Sequence, residues 1–523
     1  MRRHAAIAIA LTIAALGFRL FLVLHLPNDD DDDGHFYAQI ARNLLDHRGY
    51  SGEEEEPYVP TYVRVPGYPL FLAGVYSVFG RDNNTAVRII QSSLDTATCW
   101  LVALLALAWV PIKWKPWKRR RAMLIALALA AACPFTAIYT TTILTETWAT
   151  LLVTGFVLVA TFASKSDRTL KSALLWMAAG ILGGAATMFR PDCALFAGGS
   201  GVTLFVAGFV RAIAQLKSPE QHESAGVWRA LGVTLAGCVA LSIGFISILA
   251  PWGIRNARVF GVFQPVAPAY AVMPDEFAPM GYVAWLRTWV DDERYVSAIE
   301  DGIDLYPIPI ERIPDYAYDS SNERDLVQAL LDRYNNPLKP AADPSDEDNQ
   351  PPAPAPAVKM TPSIDAEFGL IARERIARHP LRYYILLPLK RAQSLWFDTH
   401  SQYYPFQGQL FPLTDLDTDA HQQYWLPLFA ALTWFYTISA LIGVWVLWKS
   451  ESSRRWVWLL AMLIVPRLVF LAAQEHPETR YTVEFFPLVA AAGSLALAHL
   501  TFHRIRRGAA ATISKVRTLS SDV

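Results

Sequence analysis

The sequence predicts an all-α polytopic membrane protein with about ten transmembrane helices, and three observations lead to that class. Apolar residues make up 53% of 523 residues, a share that soluble multidomain enzymes do not reach together with a positive mean hydropathy. Apolar stretches of ~17–25 residues, enough to cross ~30 Å of hydrocarbon, recur along the chain. They cover residues 5–26, 86–110, 122–140, 142–163, 172–189, 193–213, 230–251, 424–448, 456–473 and 482–502. Lysine and arginine are segregated into alternate connections.

The first stretch, MRRHAAIAIALTIAALGFRLFLVL, has an apolar part too long for a cleaved secretory signal and lacks an A-x-A-like site, so it reads as a retained anchor. Lys113, Lys115, Lys118 and Arg119 to Arg121 follow the second span, Lys165, Arg168 and Lys171 the fourth, and Lys449, Arg454 and Arg455 the eighth. By the positive-inside rule these loops are cytoplasmic. Arg504, Arg506 and Arg507 put the tail with them, so both termini face the cytoplasm. The expected location is a bacterial inner membrane. Cys99, Cys133, Cys193 and Cys238 all fall within predicted spans without metal-ligand spacing and read as packing residues. The net charge of -1 excludes no partner by itself, but nothing in the chain suggests nucleic acid.

The organisation follows from the spans: an N-terminal transmembrane module over 1–250, a large extracytoplasmic loop over 251–424, and a C-terminal module with its tail over 425–523. Within the first module an outer loop, 27–85, opens with five aspartates, Asp29 to Asp33. Phe36, Ile40, Leu44 and Leu45 then repeat at helical spacing, which makes 35–46 a short amphipathic helix along the membrane surface. Asp33 stands at its N-terminus, where a carboxylate caps a helix and meets the positive end of its dipole. After Glu53 to Glu56, the breakers Pro60, Pro66, Gly67 and Pro69 precede an apolar segment too short to span comfortably, which reads as re-entrant or interfacial. Arg64 lies in this broken part, open to two readings: headgroup anchor or anion-binding residue.

The large loop begins PWGIRN, with Arg255, and 275–334 reads as a small α-rich lobe. Residues 337–362 form a Pro- and Ala-rich linker. Helical periodicity returns at SIDAEFGLIARERIARHPLRYY, expected to lie against the outer leaflet. No Walker motif, G-x-G-x-x-G or H-E-x-x-H is present, so nucleotide hydrolysis, Rossmann cofactor binding and zincin proteolysis lack support.

Taken in order, these features resemble a known family. A D-x-x-x-Y at the exit of the first span, met by Asp33 and Tyr37, precedes IARNLLDHRGYS and RVPGYPLFLAGVYSVFG. RIIQSSLDTAT, IYTTTILTETWAT with Glu146, FRPD at Arg190, PWGIRN at Arg255, RIARHPLRYY, and HPETRYTVEFFP with Arg480 and Tyr481 follow. Over nearly the whole chain this resembles the GT-C superfamily of integral-membrane glycosyltransferases, in the branch of protein O-mannosyltransferases and the lipid A aminoarabinose transferase. Where those enzymes usually show one or two acidic residues at the first motif, this chain has five, and only the register with Tyr37 singles out Asp33.

The resemblance implies a polyprenyl-phosphate-linked sugar donor, an envelope lipid, glycan or protein acceptor, and transfer on the extracytoplasmic side. The chemistry agrees. A sugar on a lipid phosphate presents its anomeric carbon at the membrane surface, and transfer needs a base for the acceptor hydroxyl and cationic donors for the departing phosphate. Asp33 is the expected base, in an inverting single displacement. Tyr37, Arg64, Glu146, Arg255, Arg480 and Tyr481 are the expected substrate-binding residues; Arg64, Arg255 and Arg480 suit the phosphate because a planar guanidinium engages two oxygens, and Arg480 is favoured among them because it follows Pro477 where the chain re-enters lipid. Headgroup snorkelling is the other reading of Arg480. Glu146 either orients the partners of Asp33 or holds a metal, and the deeper Asp95 reads as a structural hydrogen-bonding residue. Some relatives bind a divalent ion, which leaves a metal open; His35, His379 and His476 show no ligand spacing. No cofactor is otherwise expected. The competing classes are a transporter, against which no repeated halves are seen and the polar features gather on one side, and a non-catalytic lipid-binding protein of the same fold.

Overall fold

In a computed structural model the protein is described over residues 2–500, apart from 27–31, 167, 217–223, 269, 271, 274–275, 300–301, 337–357, 407, 409 and 411–419. The positions Asp29 to Asp31, most of the 337–362 linker and the basic tail thus lie outside the described residues. All regular elements described are helical: α1 (Arg2–His25), α2 (Asp32–Leu45), α3 (Gly67–Phe79), α4 (Asn84–Trp109), α5 (Pro116–Ala131), α6 (Pro134–Ala137), α7 (Glu146–Lys165), α8 (Thr169–Phe189), α9 (Ala194–Leu216), α10 (Ser224–Phe260), α11 (Met280–Leu286), α12 (Val296–Ile299), α13 (Ser321–Asn335), α14 (Pro362–Arg378), α15 (Leu387–Phe397), α16 (Ala420–Trp448), α17 (Arg454–Ala472) and α18 (486–500).

Among the described residues, nine helical segments are long and apolar enough to cross a membrane, ten if the bent pair α5–α6 is one span. The chain is therefore a multi-pass membrane protein. Ile13, Phe205, Phe209, Leu441 and Trp445, all on spans, are exposed, as a lipid-facing surface requires.

Two spans differ from the sequence reading. The expected single span at 122–140 is broken, with a 50° bend between Pro116–Ala131 and Pro134–Thr140. Pro134 supplies no N–H, and backbone carbonyls freed inside a membrane must find other donors. They do: Arg19 donates to the carbonyls of Ala130 and Ala131 (3.2 and 3.1 Å), Tyr436 to Leu129 (2.7 Å) and Tyr404 to Pro134 (2.9 Å). Asp95 accepts from Arg19 at 2.6 Å, a buried pair that holds the guanidinium at the break. Asp95 is thus placed as a structural hydrogen-bonding residue. The second difference is α10, which runs through Pro251 to Phe260, so Arg255 sits on a helix and not in a loop.

By internal contacts the chain forms two compact units: Met1–Ala271 with Thr399–Arg467 and Thr482–Val523, and Val272–Asp398 with Leu468–Tyr481. The second unit has its own core, in which Tyr282, Trp285 and Trp289 pack with Val327, Leu330 and Phe368. Val358 and Met360 are buried in it, so the linker ends before them. α14 contributes Ile364, Phe368, Ile371 and Ala372 to this core, which corrects the expectation that it lies on the leaflet: its apolar face is taken up by α11 and α13. The four cysteines are free, and Cys99, Cys133 and Cys193 are buried.

Candidate functional site

The first outer loop is folded against the protein. The inner face of α2, with Ala38 and Ala41, packs on Tyr68, Leu72, Val75 and Tyr76 of α3 and on Val87 and Ile143. α3 spans only ~20 Å at 1.5 Å per residue, too short for ~30 Å of hydrocarbon. The apolar side of α2 expected to meet lipid therefore meets α3 in large part. Gly34, in the first turn of α2, lies close to the Ile143 backbone, with its built Cβ position 3.0 Å from that carbonyl oxygen.

The polar residues of α2 pin the loop that follows it. Asn43 donates to the carbonyls of Ser51 and Glu53 (2.9 and 2.7 Å), and Gln39 to Glu53 (3.1 Å). Tyr50 then donates from its hydroxyl to the Arg64 carbonyl at 3.1 Å, and the Thr61 N–H to Tyr50 O at 2.9 Å. Pro66 turns the chain into α3, where Gly67 lies so close to Met188 that a Cβ would fall 2.4 Å from its carbonyl oxygen. These contacts fold the loop back on the start of α2. There Arg64 Nη2 donates to Asp33 Oδ1 at 2.7 Å, with the guanidinium 5.7 Å above the Phe36 ring.

Tyr37 sits one turn along α2, edge-on to Tyr68 at 5.3 Å. Burial raises its phenol above the ordinary tyrosine range, and the Asp33 carboxylate pushes the same way; Arg64 and Arg190 oppose, and Glu146 adds to the rise. Tyr37 therefore feels two charge groups, the Asp33–Arg64 pair and a larger buried array. In the array Glu146 Oε1 meets Arg190 Nη1 at 2.5 Å, and Arg190 Nε lies 3.4 Å from Glu484 and 3.5 Å from Asp192. Arg467 joins Asp192 (2.5 Å) and Glu484 (2.9 Å) and lies over the rings of Phe196 and Phe485.

Exposure separates the two groups. The side chains of Asp33 and Arg64 are 27% and 29% exposed, whereas those of Glu146, Arg190, Arg467 and Glu484 are 9% or less. The first pair is open to solvent, and the array joins the ends of α7 and α8 to α17.

Arg255 is held differently. It donates to Thr61 O (2.8 Å) and Asn256 Oδ1 (2.9 Å) and lies 4.9–5.5 Å from the ring centroids of Tyr50, Trp252 and Phe260. Among the described residues no carboxylate lies within salt-bridge distance of it. Thr61 ties it to the same loop that carries Arg64.

Arg480 and Tyr481 belong to the second unit. Arg480 Nε meets Glu478 at 2.5 Å, and Tyr481 packs with Leu395, Leu471 and Ala472. Beside them, burial raises the Glu293 carboxyl to about 8, with Glu478 and Asp398 adding to the rise, and burial raises Asp398 to about 7. Asp192, Arg467 and Glu484 were not singled out from the sequence, although Arg467 inside an apolar segment is a signal of its own.

For a metal, the described residues contain no group of three His, Cys, Asp or Glu side chains placed to hold an ion. His35 lies 3.1 Å from Glu54, His379 3.7 Å from Asp319 and His476 3.7 Å from Glu478, in three separate places. Asp29 to Asp31, at the head of the same loop, lie outside the described residues, so a metal stays unassigned.

No protein-family profile matches the chain. No curated protein matches it either. Among solved structures, it is similar to the archaeal oligosaccharyltransferase AglB from Archaeoglobus fulgidus in complex with an inhibitory peptide and a dolichol-phosphate, with 13% identity and a TM-score of 0.47 over 97% of this chain and 52% of that one. The apo form of that enzyme gives 13% and 0.46 over the same shares. ArnT from Cupriavidus metallidurans, also apo, gives 13% and 0.33 over 95% of this chain and 77% of that one. The chain spans about half the length of the oligosaccharyltransferase chains it matches.

Proposed function

We propose that this chain is a membrane glycosyltransferase that moves a sugar from a polyprenyl-phosphate donor to a cell-envelope acceptor, a lipid, glycan or protein, on the extracytoplasmic side. The observation that carries the reading is the partly exposed Asp33–Arg64 pair at the head of α2. The order of motifs resembling GT-C enzymes supports it. Asp33 takes the proton of the acceptor hydroxyl as that oxygen attacks the anomeric carbon; the bond from that carbon to the phosphate oxygen breaks, and polyprenyl phosphate leaves with the electron pair. No covalent enzyme intermediate forms, and the anomeric configuration inverts. Arg64 orients the carboxylate. Arg255 meets the phosphate charge from its aromatic cage, with donors placed before that charge develops. Tyr37 and Glu146 position the pair, and Arg480 with Tyr481 is the further candidate for donor contact. Both termini are cytoplasmic in this proposal, in a bacterial inner membrane.

The test uses the purified full chain in vesicles with radiolabelled polyprenyl-phosphate sugars, together with mass spectrometry of envelope glycans from cells with and without the protein. The expected result is release of polyprenyl phosphate and one sugar missing from the envelope. Solute uptake without sugar transfer would instead make the chain a transporter.

A further inference from the structure

The second unit carries a basic cleft that has no part in the proposed transfer. It is lined by Thr288, Asp319, Arg375, His379, Arg382 and Tyr383 and has about 180 Å³ of empty space, part of it open to solvent. Its base is Arg375, whose side chain is 2% exposed. Arg375 Nε donates to Thr288 Oγ1 at 2.9 Å, and its Nη1 meets Glu323 and, at 3.2 Å, Asp319. Its Nη2 is equally buried without a hydrogen-bond partner, as is Asp319 Oδ2 on the same cleft, so a bound group must offer an acceptor to the first and can offer a hydroxyl to the second. Buried donors are nearly always paired, so Nη2 calls for an acceptor in the cleft.

The surrounding charge fits an anion. Asp319 is shared by Arg375, Arg382 (3.3 Å), Arg378 (3.4 Å) and His379 (3.7 Å), and Glu323 by Arg375 and Arg378 (3.1 Å). The third acid nearby, Glu374, is 4.0 Å from Arg378 and 76% exposed, hence well screened. Three guanidiniums and an imidazole thus face two buried carboxylates.

Arg382 and Tyr383 reach the cleft from a π-helical turn, Arg382–Leu386, a distortion frequent at functional sites. The same turn leaves Leu381, Tyr384 and Ile385 exposed beside the cleft. We infer that the cleft binds a phosphate group, with Arg375 Nη2 at its base and Arg382 and His379 at its mouth. The apolar residues alongside favour the headgroup phosphate of an anionic lipid over free phosphate. This inference is independent of the glycosyltransferase reading.

The experiment takes the full chain in detergent and measures equilibrium binding of radiolabelled orthophosphate, with soluble short-chain phosphatidylglycerol and phosphatidylcholine as competitors. Arg382→Ala, at a partly exposed position, and Arg375→Lys are compared with Arg333→Ala on an exposed face of α13, with melting curves as the folding check. A saturable component weakened at least ~10-fold by Arg382→Ala and Arg375→Lys, unchanged by Arg333→Ala and displaced by phosphatidylglycerol ahead of phosphatidylcholine, is expected. Absence of any phosphate-binding component sensitive to Arg382→Ala overturns the site. Phosphate binding that phosphatidylglycerol fails to displace overturns the lipid source and leaves free phosphate as the ligand.

Discussion

Arg64 and Asp33, 31 residues apart in sequence, meet in a 2.7 Å ion pair at the head of α2. Both side chains are more than a quarter exposed, so the pair adds little to stability, ~0–1 kcal/mol. Its consequence lies in orientation. Arg64→Ala is expected to lower sugar transfer by about 10²-fold or more, in the ~2.7–4 kcal/mol range for deleting one preorganised donor, while the melting temperature stays within a few degrees. Arg64→Lys, which keeps the charge without the fork, is expected between the two. Initial rates alongside thermal melts check this.

Arg255 and Arg480 are expected to behave differently. Arg255 is caged by three rings and Arg480 is held by Glu478. Arg255→Ala should raise the donor KM by about tenfold or more, with melting little changed, since the residue is partly exposed. Arg480→Ala leaves the largely buried Glu478 without its guanidinium, and the principal effect should be a lower melting temperature. Donor titrations on both variants test the contrast, and an equal rise of KM in Arg480→Ala would give that residue a place on the donor.

The buried array is a stability device in this account. Arg467→Met leaves Arg190 as the one guanidinium of the array facing Asp192, Glu484 and Glu146, with an expected loss of about 3–5 kcal/mol. The double variant Arg467→Met/Glu484→Met should lose less than the sum of the single variants, because the Arg467–Glu484 contact at 2.9 Å is lost in either one and is counted twice in the sum. Denaturant unfolding of the three variants measures the coupling.

The second unit should be less stable in mild alkali than in mild acid. Glu293 and Asp398 are raised to about 8 and about 7, above their unfolded values, so the folded state holds protons that the unfolded chain has released. The stability this contributes is full below the unfolded carboxyl range near pH 4 and is lost as pH rises through 7 to 8. The unfolding midpoint is expected to fall between pH 5 and 8.5. Glu293→Gln should flatten that slope, as followed by melting across the pH series.

The spans were legible because an apolar run of sufficient length has one use in a membrane. The break between α5 and α6 was not, although Pro134 stood in view, because its tolerance rests on Arg19, Tyr404 and Tyr436, which come from distant parts of the chain. Pro251 was read as a stop and is instead carried inside α10. α14 was placed on the leaflet by its alternating basic and apolar residues, yet periodicity shows only that a face is apolar and not what covers it. At the site, Asp33 and Tyr37 were legible through the resemblance and Arg64 through its place in the broken segment, while the closure of Arg64 onto Asp33 depends on Asn43 and Gln39 gripping the loop between them. Glu484 lies in HPETRYTVEFFP, four residues after Arg480, and only the fold shows that it faces Arg467. Its partner Arg467, like Arg19, could have been found by asking why an arginine interrupts an apolar segment.

The central claim is that Asp33 accepts the proton of the acceptor hydroxyl. The most direct measurement is the rate of polyprenyl-phosphate release in vesicles for Asp33→Asn, beside Asp29→Asn, Asp30→Asn and Asp31→Asn. Asparagine keeps an oxygen for Arg64 and much of the capping ability while removing the base. The account predicts a loss of at least ~10²-fold for Asp33→Asn with normal expression and melting, and near-normal rates for the other three. Normal release by Asp33→Asn would contradict it.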